Sequence, residues 1–404
     1  MFPDSCEFLV IGAGPAGSAC ARVLAQAGRE VLLIDAHTFP RDKTCGDGLV
    51  PDALAALARL GLKERVLERA QPVQHAHCVG PRGGFVDVPG EMAVIGRREL
   101  DHLLAQAAEE AGARFVQGVR FVSPMTDTAG RVCGAKLQSG EQQIEVRAQW
   151  VILATGASAG PLQAAGLCER RTPSSIALRG YVELPGLAEQ ISGLHFIWHP
   201  RIRQGYGWIF PAGGDRYNIG VAVLDSHNVE EGDGRRSMKN INLRELFAEF
   251  CAVYPLARKL NEEGRWVGEL KGAPLRCNLD GARWSRPGLL GTGEAVGTTY
   301  AFTGEGIGKA METGIAAADS LIAGGADEAI QARYATALTA LLPRYQMYRK
   351  ATSFNRWPWL VDLVIWRARR SPRLIRAFAG VLDESRMPGS VLSWRGFKRL
   401  VLGV

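Results

Sequence analysis

"FLVIGAGPAGSACARVLAQAGREVLLID", Phe8 to Asp35, decides how the N-terminal part of this chain folds. The run Phe8–Ile11 is short and apolar, the pattern of a buried parallel strand. Gly12-x-Gly14-x-x-Gly17 follows at once. Ala16, Cys20, Val23, Leu24 and Ala27 then recur at helical spacing, and Gly28 can end that helix. Val31–Ile34 reads as a second strand, closed by Asp35. Strand, glycine turn, helix, strand and terminal acid together form the dinucleotide fingerprint. Gly12 makes the tight turn, Gly14 lets a pyrophosphate approach the backbone, and Gly17 lets the helix pack on the strand. The loop Gly12, Ala13, Gly14, Pro15, Ala16 and Gly17 is therefore the expected phosphate cradle at a helix N-terminus. Asp35 is placed to accept from a ribose hydroxyl.

A second glycine-rich segment lies far downstream, "GLLGTGEAVGTTYAFTGEGIGKAMETG", Gly288 to Gly314. Leu289 and Leu290 read as a short strand, and a helix opens near Gly304–Gly308. Gly304, Gly306 and Ile307 then sit at a second helix N-terminus, suited to an anion or an electron-rich ring. The sequence shows one fingerprint, whereas enzymes that hold both FAD and a bound nicotinamide usually carry two. Two glycine-rich turns at opposite ends of one domain can grip one long ligand such as FAD. A third segment, "RDKTCGDGLVP", Arg41 to Pro51, sets Cys45 between a charged turn and two glycines.

These segments resemble the FAD-dependent geranylgeranyl reductase family, within the p-hydroxybenzoate hydroxylase-like flavoproteins. "PRDKTCGDGL" is similar to that family's P-R-x-K-x-C-G-x-G motif, and "GYGWIFPAGGDRYNIGVAV" to its Y-x-W-x-F-P motif. "TGEGIGKAMETG" is similar to its flavin-facing helix start, and the likeness runs from residue 4 to about 325. The chain departs from the pattern at Glu294, where the family usually has an Asp on the ribityl chain. Ala301 replaces a proline, and Ala222 replaces a glycine. The W-x-W-x-I-P motif of flavin halogenases is absent: only Trp208 is present, with Phe210 before Pro211.

The resemblance implies an α/β chain with a Rossmann-like FAD-binding domain, a β-sheet substrate domain and a helical C-terminal tail. The expected FAD-binding pieces are residues 1–72, 94–168 and 286–325, the substrate domain 73–93 and 169–285, and the helical basic region 330–404. It also implies that the Cys45 loop passes beside the isoalloxazine ring, with Gly46 and Gly48 allowing close approach. Two readings of Cys45 stand: a small buried residue filling space, and a group that supplies or relays a proton. Arg41 and Arg97 are candidates for the pyrophosphate, and Arg97 fits the group's R-x-x-[FL]-D pattern through Leu100 and Asp101. Both could equally be solvated surface arginines. Tyr206, Trp208 and Phe210 alternate along a strand and so share one face. They make either an aromatic core face or, as the resemblance implies, the wall of an apolar tunnel.

Composition limits the alternatives. Eight cysteines are scattered with no CxxC pair, which speaks against a zinc site and a disulfide framework and suits a reducing cytoplasm. The seven histidines show no metal spacing, and no metal is expected. The N-terminus lacks the basic flank of a signal peptide, and no uncharged run is long enough to span a bilayer. From Arg344 to Val404 there are thirteen Lys and Arg against three Asp and Glu, a net of +10 in a chain whose total is +7. Trp357, Trp359, Trp366 and Trp394 interleave with these arginines and with aliphatic residues. That composition suits helices lying on the inner face of a membrane, or a helical cap with solvated arginines. A nucleic-acid partner is not expected, because the tail is rich in aliphatics.

The expected function is an FAD-dependent oxidoreductase that reduces carbon–carbon double bonds in a prenyl or similar apolar substrate. Its flavin would be reduced by NAD(P)H or an external electron donor. The alternatives are an FAD monooxygenase on an apolar or aromatic substrate and a flavin electron relay.

Overall fold

The computed structural model describes residues 3–168, 173–202, 205–224, 241–352 and 357–387. Two eight-stranded sheets organise them. In the first, Ser5–Ile11 lies parallel to Val31–Asp35 on one side and to Gln142–Leu153 on the other. Arg114–Gln117 extends the sheet beyond Val31–Asp35, and Leu289–Gly291 extends it beyond Gln142–Leu153. The near-continuous apolar run of the first strand follows from burial on both faces. Val10 faces the helices Pro15–Gln26 and Ile307–Ile322. Leu9 and Ile11 face the hairpin Val119–Thr126/Val132–Ser139 and the helix Ala159–Ala164.

Register brings distant parts of the chain to one edge. Ile11 pairs with Leu153, and Leu153 with Gly291. The turns that leave these strand ends carry Gly12, Thr155–Gly156 and Gly293–Glu294. In an open α/β sheet, the crevice outside the carboxyl ends of the strands is where ligands bind. The two glycine-started helices lie against each other there, because a side chain at Gly314 would overlap the Ala16 carbonyl.

The second sheet runs Arg265–Leu275, Ser175–Glu183, Arg216–Val223, Gly205–Pro211, Leu194–Ile197, Gln71–Val79, Phe85–Val94 and Gly48–Leu49. Its last strand belongs to the Cys45 loop: Gly48 pairs with Val94 and Leu49 with Ala93. The loop is thus stitched to the second sheet as well as to the first. One face of this sheet packs Ile209, Ile219 and Val221 against the helices Leu243–Val253 and Pro255–Glu263. The other carries Phe196, Trp198, Tyr206, Trp208 and Phe210.

The C-terminal region is helical over Asp327–Ala351, Trp359–Ala368 and Pro372–Leu382. The first of these helices buries Tyr334, Tyr345 and Tyr348 in the core on one face of the first sheet. Tyr334 donates to the Gly291 carbonyl at 2.6 Å and Tyr345 to that of Thr298 at 2.7 Å. The other two helices cover the aromatic face of the second sheet through Val361, Ile365, Ala368 and Leu382. Trp394 lies outside the described residues. No described helix is long and apolar enough to cross a membrane.

Candidate active site

The three fingerprint glycines differ in what surrounds them. Gly12 has φ +104°, and a side chain there would overlap the Ala154 carbonyl. One at Gly17 would overlap the Gly12 carbonyl. Gly14 is extended, with φ −76° and ψ −173°. A Cβ there would stand 3.7 Å from Arg41 Nη2 and 4.0 Å from Arg97 Nη2. Its open side therefore looks onto two guanidiniums, with Pro15 opening the helix beside it. Asp101, wholly buried, orients both arginines. Arg97 donates to it through Nε and Nη2 at 2.7 and 2.8 Å, and Arg41 Nη1 approaches at 2.9 Å. Burial alone would lower the Arg97 pKa, but the Asp101 carboxylate outweighs it and holds the guanidinium charged.

Asp35 is tied down rather than free. Its Oδ2 accepts from the Ala13 N–H at 2.9 Å and its Oδ1 from the His37 N–H at 2.9 Å. It braces the phosphate loop; His37 Nδ1 also lies 3.2 Å from Oδ1, so Oδ2 is the oxygen with a lone pair left for a further donor.

At the second turn, Gly304 has φ +73°, and the helix Ile307–Ile322 opens at Gly306, which has no side chain to cap it. Ile307 is buried at the first helical position. Glu294 sits in a short 3-10 turn, where its Oε1 accepts from Thr299 Oγ1 at 3.3 Å. Its Oε2 lies 3.9 Å from where a Cβ of Gly156 would be. Beside Gly308 lies Asp52, and Lys309 Nζ is 4.0 Å from its carboxylate. Burial pushes the carboxyls of Asp52 and Glu305 upward.

Between these turns runs the aromatic strand. Tyr206 donates its hydroxyl to the Thr303 carbonyl. A Cβ at Gly46 would stand 3.0 Å from the Phe210 ring and 3.5 Å from Trp208 Nε1, and one at Gly48 3.4 Å from Phe210. A side chain at 46 would crowd this aromatic packing, whereas one at 48 would meet it at ordinary contact distance. One strand thus touches the Cys45 loop at one end and the Gly304 turn at the other. Trp208 fits because its ring lies over Gly220 of the neighbouring strand. Its Nε1 donates to Asn218 Oδ1 at 2.9 Å. All three aromatics are buried, with Phe196 5.5 Å from Tyr206 and 5.2 Å from Phe210, centroid to centroid.

Polar bonds fasten the Cys45 loop to the same sheet. Asp42 accepts from Arg179 Nη2 at 2.6 Å and Lys271 Nζ at 2.7 Å. Asn218 Nδ2 donates to the Cys45 carbonyl at 2.8 Å and to Asp47 Oδ2 at 2.7 Å. Tyr181 also donates to Asp47 Oδ2. Burial raises the Cys45 thiol pKa, against the pull of the Arg97 guanidinium. It pushes the Asp47 carboxyl up to about 6, against the hydrogen bonds from Tyr181 and Asn218.

The structure therefore brings the sequence candidates into one region: the Gly14 loop with Arg41 and Arg97, the Gly304 turn, Cys45 and the aromatic strand. Sequence reasoning missed Tyr181 and Asn218, which lie 134 and 171 residues from Asp47; Tyr181 stands in no quoted motif, and Asn218 stands inside the quoted tryptophan stretch but was given no role. Asp47 stood inside the quoted motif, and its φ of +68° is the signal of a special position.

The residues fit FAD. The open side of Gly14, faced by two guanidiniums at a helix N-terminus, suits a pyrophosphate. Thr155 Oγ1 is buried with no hydrogen-bond partner among the described residues, and Glu294 lies beyond the adjoining Gly156. Such groups suit a polyhydroxylated linker. Gly306 and Ile307 would meet the ring.

Comparison with known proteins agrees. Residues 5–228 match the FAD binding domain family. A menaquinone reductase of Mycolicibacterium smegmatis is 31% identical over 84% of this chain and 80% of its own length. A digeranylgeranylglycerophospholipid reductase of Methanopyrus kandleri is 28% identical over 76% of this chain and 74% of its own. The crystal structure of a geranylgeranyl bacteriochlorophyll reductase-like protein from Thermoplasma acidophilum superposes with a TM-score of 0.76 at 21% identity, covering 96% of this chain and 98% of that one. Flavin-dependent halogenases share the fold. The chain is an enzyme and belongs to the geranylgeranyl reductase family of FAD-dependent oxidoreductases.

Proposed function

We propose that the enzyme reduces carbon–carbon double bonds in a prenyl or similar apolar chain, with FAD reduced by NAD(P)H or an external electron donor. The observation that carries this reading is the aromatic strand Gly205–Pro211, whose buried rings join the Cys45 loop to the Gly304 turn. Tyr206, Trp208, Phe210 and Phe196 offer a low-polarity wall that suits an isoprenoid chain and excludes water. FAD, when bound and reduced, supplies the hydride equivalent. The protein orients the alkene and provides the proton. Cys45 is placed for that task because burial keeps its thiol protonated, while the Arg97 guanidinium stands ready to stabilise the thiolate left behind. Solvent then returns the proton. Names of the relatives support the substrate class: one reduces menaquinone and another a digeranylgeranyl lipid. Anaerobic reduction of the holoenzyme, followed by mixing with a prenyl alkene or with oxygen, tests the reading. Fast flavin reoxidation by the alkene supports it; no reoxidation by the alkene, with an oxygen atom entering the substrate when oxygen is admitted, makes the enzyme a monooxygenase.

We infer further that this chemistry takes place at an anionic membrane surface, a reading that the exposed face of the C-terminal helices supports. Trp357, Trp359 and Trp366 are 55, 57 and 50% exposed, although the helix carrying the last two buries Val361 and Ile365 on its inner side. Trp359 and Trp366 stand two turns apart and share the outer face. Arg369, Arg370, Arg373 and Arg376 are exposed around them. The one acid of that helix, Asp362, turns inward and accepts from the Arg82 N–H at 3.1 Å. An outward face of tryptophan and arginine suits the headgroup region of a bilayer.

A further inference from the structure

The Cys45 loop carries a buried carboxylate to which no motif assigns a task. Asp47 is wholly buried with φ +68°, a conformation that asparagine and aspartate tolerate better than other side chains. Three elements meet its carboxylate. Tyr181 of Ser175–Glu183 and Asn218 Nδ2 of Arg216–Val223 donate to Oδ2, and the N–H of Arg97, first in the helix Arg97–Glu110, points at Oδ1 from 3.4 Å. Its own backbone carbonyl accepts from the Ile95 N–H at 3.1 Å. The same Asn218 amide donates to the Cys45 carbonyl, and Asn218 is itself oriented by Trp208 Nε1. A chain of hydrogen bonds thus runs from the aromatic strand through Asn218 to both Cys45 and Asp47.

We propose that Asp47 is a positioning residue for Cys45: locked by Tyr181 and Asn218, it fixes the loop against the aromatic strand and keeps the thiol its proton. The second half follows from charge. Burial pushes the Asp47 carboxyl up to about 6 against the donors Tyr181 and Asn218, so above that pH it is a carboxylate, and a negative charge two residues from Cys45 opposes ionisation of the thiol. Arg97 and Lys43 pull the other way, and the phenols of Tyr181 and Tyr206 face the thiol as neutral groups. Burial and Asp47 together win, so the thiol's ionisation stays raised. The inference deepens the proposed role of Cys45 as proton source, but its test needs no turnover.

The test is the pH dependence of iodoacetamide alkylation of FAD-loaded protein, read at the Cys45 peptide by mass spectrometry, for wild type, Asp47→Asn and Tyr181→Phe. Asparagine keeps the shape and the φ of the position. The expected result for Asp47→Asn is a profile displaced to lower pH, with about tenfold faster alkylation on its rising limb, a shift of roughly one pKa unit. Tyr181→Phe removes a donor and leaves the carboxylate charged, so its profile should keep the wild-type midpoint or move upward. An unchanged Asp47→Asn profile overturns the proposal. So does an equal acceleration at every pH, which would mean that Asp47 only packs the loop. Loss of the alkene reaction with these thiol profiles intact would instead strike the proposed function alone.

Discussion

Replacing Gly14 by valine separates cofactor binding from folding. The backbone there is extended, so a β-branched residue meets no conformational barrier. A Cβ stands at ordinary contact distance, 3.7 and 4.0 Å, from the two guanidiniums. The apo protein should therefore fold, losing about 1 kcal/mol or less. The added methyl groups project into the space that Arg41, Arg97 and the helix N-terminus surround. A pyrophosphate held off by them forfeits two charge-assisted hydrogen bonds, each of about 1.5–3 kcal/mol. The sum, about 3–6 kcal/mol, weakens FAD binding by roughly 10²–10⁴-fold. Titration of apo protein with FAD, followed by flavin fluorescence, reads the loss. Thermal melting without FAD should give nearly the wild-type midpoint, while the FAD-dependent increase in that midpoint disappears. Gly17→Ala is the contrast, since its Cβ would overlap the Gly12 carbonyl and should destabilise the apo fold itself. Wild-type FAD affinity in Gly14→Val would refute the placement of the pyrophosphate.

Cys45→Ala should retain flavin and slow only the step after flavin reduction, by about 10²–10⁴-fold in stopped-flow reoxidation by the alkene; an unchanged rate would make the thiol a packing residue. His195 is buried, with Nδ1 2.9 Å from the Tyr254 hydroxyl, and burial lowers its pKa from 6.5 to about 3. Its contribution to stability is thus complete above pH 6.5 and is lost as pH falls from there toward 3. Urea unfolding at about pH 7 and pH 5 should show His195→Gln losing about 2 kcal/mol less than wild type across that interval. Full-length protein should sediment with vesicles containing anionic lipid, less so at high salt, and the Trp359→Ser/Trp366→Ser double variant should stay in the supernatant with FAD bound. Wild-type protein that stays in the supernatant at low salt would leave the tail as a cap alone.

What the sequence made legible is what local spacing encodes. Phe8–Asp35 gave strand, turn, helix and strand because each step has a short-range signature: an apolar run, three glycines and a 3.6-residue period. The same holds for the alternation that puts Tyr206, Trp208 and Phe210 on one face. The long-range fastenings of the Cys45 loop were not legible. Gly48–Leu49 joins the second sheet through a two-residue pairing that leaves no periodic trace. Asn218 reaches Cys45 across 173 positions, and although it stands in the quoted tryptophan stretch, no spacing there marks it as a partner of that loop. Gly46 and Gly48 suggested close approach to the flavin ring; what the sequence did not show is that the Phe210 ring lies beside both and Trp208 beside Gly46. The tail could be read as a cap or as a membrane surface, and one amphipathic helix, Trp359–Ala368, has a face suited to each.

The central claim, that reduced FAD and the Cys45 loop saturate a prenyl alkene, is tested most directly by the mass of the product. Purified FAD-loaded enzyme, reduced without oxygen, is incubated with a prenylated lipid or quinone, and the extract is analysed by mass spectrometry. The account predicts a gain of two hydrogens per double bond consumed, with both becoming deuterium in heavy water, because the ring N–H of reduced flavin and the thiol proton both exchange with solvent. A product carrying one added oxygen when air is admitted, with no hydrogenated product in its absence, would contradict it.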